Sequence, residues 1–194
     1  MDIKSIFKYG TQIATSVVFR VRPDQFTLVT PDYEWTVHDL LNHQMYELSW
    51  ASDILAGRTA EEIGYRYDGD LIGDNLVVSW HRIIKRIDRI AERVDLSSIA
   101  GLSYGKVSIS VYLIELTTDN LLHAWDLAQS IGVKLRFAEP IVRVLYDFAW
   151  PKRETLHLSG LFAPPLRVDK SADIQSKLLA LFGRSESWQH CVRA

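Results

Sequence analysis

Residues Glu115 to Gly132 read ELTTDNLLHAWDLAQSIG, and their spacing decides the fold class. Apolar residues at Ile109, Leu113, Leu116 and Leu127 lie four, three and then eleven apart, the period of one long helix ended by Gly132. Asn120 and His123 interrupt that stripe. Asp119 precedes His123 by four residues, so carboxylate and imidazole leave the same helix face about one turn apart. Such a pair can reach one metal ion, and a third ligand then has to come from another helix. The plainer reading is a histidine satisfied by hydrogen bonds in the core, and this spacing alone does not exclude it.

A second stretch, Trp35 to Ile54, reads WTVHDLLNHQMYELSWASDI. Leu40, His43, Glu47, Trp50 and Ile54 follow a 3-4-3-4 spacing that faces a core, and His43 and Glu47 interrupt its apolar run. Two long helices therefore each carry an acid and a histidine where apolar side chains belong. Buried polar groups cost free energy unless they are satisfied, and one cation between the helices can satisfy both pairs.

The segments EWTVHDLLNHQMYELSWASDILAGRTAEEIGYRYDGDLIGD (34–74) and DNLLHAWDLAQSIG (119–132) resemble the DinB/YfiT-like superfamily of metal-binding four-helix bundles. More narrowly, they are similar to the family related to the metal-binding domain of mycothiol-dependent maleylpyruvate isomerase. The ending GLFAPPLRVDKSADIQSKLLALFGR (160–184) resembles that family's tail, so the likeness runs from about Phe7 to Arg184. It implies an all-α, up-down four-helix bundle with extra C-terminal short helices. It also implies zinc, or nickel in second place, held by one side chain of the second helix and two of a later one, here His43, Asp119 and His123. Many superfamily members use three histidines, and the isomerase-like members place a glutamate where this chain has the shorter Asp119.

Composition narrows the function classes. The chain has 194 residues, 47% hydrophobic and 24% charged, enough for one domain (1–194) with a sizeable core and a C-terminal extension over about 151–194. Its formal charge of −2 comes without a basic run, which points away from nucleic acid and from an anionic membrane surface. No window reads as a membrane span and the N-terminus lacks a leader-like apolar region. The single cysteine, Cys191, excludes an intramolecular disulfide and fits a cytoplasmic protein. His190 beside it gives a poor nucleophile–base geometry. There is no Gly-rich phosphate loop and no GxSxG elbow.

Taken in order, a first helix is predicted from about Ile3 to Val21, ended by Pro23. Thr36 with Asp39 caps a second helix that runs to about Ala56, with Gly57 after it. Thr59 caps a short turn to Ile63, and Asp74 is expected to cap a third long helix over about 75–94. His81 lies beside that helix's apolar stripe without a partner at ligand spacing, which predicts no metal role. DGDLIGD (68–74) lacks the closing glutamate of a calcium loop, since the twelfth position is Ser79. Residues 96–106 read as a connection, followed by a fourth long helix over about 108–131. A fifth starts near Pro140 and stops at Pro151, and a last short one runs from Ser171 or Asp173 to Leu181.

The favoured expectation is a metal-dependent enzyme acting with a small, mycothiol-like thiol in transfer or isomerisation of a small molecule. Three protein ligands leave a position open on zinc, and a thiol bound there is deprotonated at neutral pH. The reaction class comes from the resemblance alone. Glu47 and Asp126 are the candidate catalytic acids. Glu47 would serve as a base near the metal, and Asp126, three residues after His123, either orients it or lies exposed. Trp125 either walls the cofactor cavity or simply packs. The rivals are a metal-dependent hydrolase and a non-catalytic metal-binding or dimeric interaction module. The isomerase carries a further C-terminal domain for which this tail looks too short. Six tryptophans among 194 residues also suit a homodimer surface.

Overall fold

The computed structural model describes residues 2–32, 35–159 and 162–188; His190 and Cys191 lie outside them. The fold is mostly helical. α1 (Ile3–Val18) opens on Asp2, whose carboxylate accepts from the Ser5 amide. α2 (Val37–Leu55) opens with Thr36 and Asp39 exchanging side-chain and backbone hydrogen bonds as the spacing predicts. A short α3 (Ala60–Ile63) repeats that device with Thr59 and Glu62. The next long helix, α4 (Leu76–Arg93), is capped by Asn75, whose side chain accepts from the Val78 amide, one residue later than the expected Asp74. After it come α5 (Ile109–Ser130), α6 (Glu139–Ala149) and α7 (Ile174–Leu181).

Four of these helices are long. α1 lies along α5 and also meets α4, while α2 lies against α4 and α5. The contact of α1 with α5 is close because Gly10 has no side chain: a Cβ there would lie 3.0 Å from Thr117 Cγ2. One core gathers Phe7, Val18, Leu40, Met45, Trp80, Ile87 and Leu113. A second core sits on the other side of α5, where Leu121, Leu122 and Trp125 meet Val142, Leu145 and Leu179. α5 is therefore buried nearly all round. That explains the eleven-residue gap in its first stripe: the intervening leucines serve the second core.

Two expectations change. α1 ends at Val18, and the chain turns through Arg20 and Val21 before a 3₁₀ turn at Pro23–Gln25. The connection after α4 is not plain loop but a hairpin, β1 (Ile99–Leu102) with β2 (Gly105–Ser108), so the chain is not purely all-α. Ala100 and Leu102 point inward and Ile99 and Gly101 outward, a period of two over four residues, too short to stand out in the sequence. Gly105, at φ 138°, closes the two-residue loop. Among the described residues no helix is long and apolar enough to cross a membrane.

Candidate metal centre

The packing of α2 on α5 brings His43 to Asp119 and His123. One ligand atom from each lies within 4.8 Å of the others. The two imidazole rings are 5.1 Å apart between centroids and nearly perpendicular, at 83°. His123 Nε2 is 3.3 Å from Asp119 Oδ1, the i,i+4 relation read from the sequence. On the other side, His123 Nδ1 is 3.3 Å from Asp126 Oδ2, so one ring lies between two carboxylates of its own helix. Trp35, just before the α2 cap, covers both rings, with centroids 4.4 Å from His43 and 5.9 Å from His123.

Asp126 is itself anchored. Its carboxylate accepts from Arg184 Nη2 at 3.0 Å and from Nε at 3.4 Å, and the same Nη2 donates to Asp32 Oδ2 at 3.1 Å. Asp32, His123 and Asp126 form a second group of ligand-type atoms within 4.8 Å. There the guanidinium already bridges the two carboxylates and takes the place of a cation.

The electrostatics follow from this layout. Burial, then the neighbouring charge of His123, pull His43 down to about 4, so it stays neutral. Burial alone would lower His123 as well, but Asp119 and Asp126 outweigh it and hold the imidazolium up to about 10. Burial pushes Asp119 up, and the His123 charge more than offsets this and keeps it ionised. Burial, then the Asp119 charge, raise Glu47 to about 7, inside the range useful for proton transfer at neutral pH.

Two imidazoles and one carboxylate suit zinc or nickel. The remaining nitrogen of His123 rests on a carboxylate, the usual support of a ligating histidine. The residues present thus fit a divalent cation. They also satisfy His123 as an imidazolium without one, which is the plainer alternative.

The structure brings together the three expected ligands and sets Asp126, fully buried, behind His123. Glu47 sits one turn after His43 on α2, half-buried, within the electrostatic reach of Asp119 and His123. Trp125 is 1% exposed and packs in the second core with α6 and α7; the tryptophan on the histidine rings is Trp35. His81 is exposed on α4. Asp32 and Arg184 are not apparent from sequence reasoning. Their only local signals are a polar turn before Trp35 and an arginine after the helix-ending Gly183. Gln44, beside His43, is buried, and neither of its side-chain polar atoms has a hydrogen-bond partner among the described residues.

No family model and no solved structure matches the chain. Two uncharacterized proteins of Mycobacterium tuberculosis, one from strain CDC 1551 / Oshkosh and one from strain ATCC 25618 / H37Rv, are similar to it. Each is 31% identical over 122 residues, which span 60% of this chain and 60% of the relative's own length.

Proposed function

We propose that the chain is a divalent-metal-binding protein of the DinB/YfiT-like type, with its four long helices as an up-down bundle. In this reading it acts on a small-molecule substrate with a small thiol, in transfer or isomerisation. The observation that carries this reading is the convergence of His43, Asp119 and His123 from two helices onto one point. A bound zinc or nickel would supply a Lewis acid that keeps a thiol as its thiolate. His43, kept neutral by burial, offers a lone pair. Asp126 holds His123 Nδ1 and so turns Nε2 towards Asp119. Trp35 shields the rings from water on one side. Glu47, poised near neutrality, is the group to give or take a proton.

Metal analysis of the purified protein tests this directly, followed by zinc and nickel titration and by turnover assays that pair several low-molecular-weight thiols with electrophiles. Approximately one ion per chain and thiol-dependent turnover are expected. No stoichiometric ion and no titratable zinc site would sink the reading. A metal-dependent hydrolase is the second reading, favoured by the near-neutral Glu47, and it predicts ester or amide turnover without thiol. Stoichiometric metal with neither activity would leave a binding module. The reading also places the protein in the cytoplasm as a homodimer, and light scattering that gives a 22.2 kDa particle would remove the dimer.

A further inference from the structure

The tail behind the three ligands has its own part in the site. We propose that Arg184 is a positioning residue that completes the centre from the C-terminal segment. It fixes His123 through Asp126 and holds the Trp35 loop through Asp32. Its consequence for zinc rests on the metal reading above; the positioning of His123 does not.

The local sequence aims Arg184 inward. α7 ends with the Gly183 amide donating to Ala180 O at 3.1 Å and the Arg184 amide to Leu179 O at 2.9 Å, a paired helix-ending motif. Gly183 has φ 78°, and a Cβ there would meet Ala163 Cβ at 2.6 Å, so the chain reverses at a position only glycine fills. Arg184 then runs back beneath α5 and is 7% exposed.

A buried guanidinium is costly unless its donors have acceptors. Here Nη1 donates to Phe182 O at 2.9 Å, Nη2 serves Asp32 and Asp126, and Nε points at Asp126 Oδ1. Both Asp126 oxygens accept from Arg184, and Oδ2 also faces His123 Nδ1 at 3.3 Å, so Nδ1 is the donor there and Nε2 is left for Asp119 and His43. The other arm grips the turn that carries the tryptophan. Asp32 O accepts from the Trp35 amide at 2.9 Å, and the Asp32 amide donates to Thr30 Oγ1 at 3.1 Å. One planar fork thus joins Asp32, α5 and the tail. A lysine keeps the charge but cannot make the forked contact.

Arg184→Gln and Arg184→Lys are compared with wild type by nitrogen-15-edited NMR of the metal-free protein and by zinc competition against a chromophoric chelator. In wild type the His123 Nδ1 proton should appear as a slowly exchanging signal. Arg184→Gln should lose it, Arg184→Lys should weaken it, and zinc affinity should fall about 10–100-fold in the glutamine variant. A folded Arg184→Gln that keeps both the signal and the zinc affinity overturns the proposal. If wild type binds no zinc while the variant loses the proton, the metal reading falls and the positioning role stands. If Arg184→Gln does not fold, Asp32→Ala cuts only the loop arm and should speed amide exchange at Trp35 while the His123 proton survives. Unchanged Trp35 exchange there, with an unchanged His123 proton in Arg184→Lys, also overturns the proposal.

Discussion

Asp53→Asn separates the structural charges of the fold from those of the candidate site. Asp53 sits near the end of α2 and is 0% exposed. It accepts from Tyr67 Oη at 2.8 Å and Arg66 Nη1 at 3.1 Å, lies 3.6 Å from Arg58 Nε, and makes a close contact with Arg86 of α4. Asparagine keeps the shape, removes the charge and turns one acceptor into a donor facing guanidinium groups. Removing one partner of a buried ion pair costs about 3–5 kcal/mol. The three arginine side chains are 42–47% exposed, so water recovers part of that, and a loss of about 2–4 kcal/mol is expected. In a chain of this size that lowers Tm by about 5–15 °C. Burial pushes Asp53 up, but the Tyr67 hydroxyl and the Arg86 charge together bring it below the usual carboxylate range. A lowered folded pKa means stability that is present above the unfolded value of about 3.9 and is lost as pH falls through the folded value. Urea unfolding followed by circular dichroism should therefore show wild type and Asp53→Asn well apart at pH 7 and converging in acid. On the metal reading, zinc affinity should not change, because Asp53 lies ten residues beyond His43, about 15 Å along the helix. A loss under about 0.5 kcal/mol at pH 7, with no convergence in acid, would refute the reasoning, since that is the size of an ordinary surface substitution.

Three further outcomes follow from the same structure. On the metal reading, His123→Ala should abolish stoichiometric zinc binding and His81→Ala should leave it intact, as measured by titration; equal binding by both would remove His123 from the site. Gln44→Met should stabilise the protein by about 1 kcal/mol in urea, because it deletes a buried amide without partners among the described residues; a loss would mean that the amide is satisfied. In the metal-free protein Glu47 is raised to about 7 from an unfolded value of about 4.3, so its ionisation removes stability as pH climbs between the two. Glu47→Gln should flatten that part of the pH profile and be the more stable form at pH 8, and superimposable profiles from pH 5 to 8 would count against the shift.

The helices are legible because their signals are local. Thr36 and Asp39 lie three residues apart and form their reciprocal cap without help from the rest of the chain. The same locality makes His123 and Asp119 readable as a pair. What local reading loses is any feature shorter than its window or shared between distant segments. The 99–108 hairpin offers four residues per strand. Leu121 and Leu122 look surplus to one helix stripe until α6 and α7 are in place to cover them. Trp125 belongs to that second core for the same reason: it follows Leu121 by four residues and Leu122 by three, and so shares their face of α5.

His43 becomes visible as an interruption of an apolar stripe, but Arg184 and Asp32 do not, since Arg184 meets Asp126 across 58 residues and Asp32 across 152. The need for such a group is nevertheless written in α5. Asp119, His123 and Asp126 place two carboxylates on one imidazole, and the lower half of that helix carries no lysine or arginine. A buried cluster of that charge requires a cation from elsewhere. Arg184 supplies it on the Asp126 side, through hydrogen bonds that leave Asp126 only the task of holding His123. On the Asp119 side the nearest partners are two imidazoles, one of them neutral. On the metal reading, a divalent ion there would take one nitrogen each from His43 and His123 together with a carboxylate oxygen of Asp119. On that reading, this asymmetry is the physical reason for placing the ion beside Asp119, because the Arg184 guanidinium already serves Asp126.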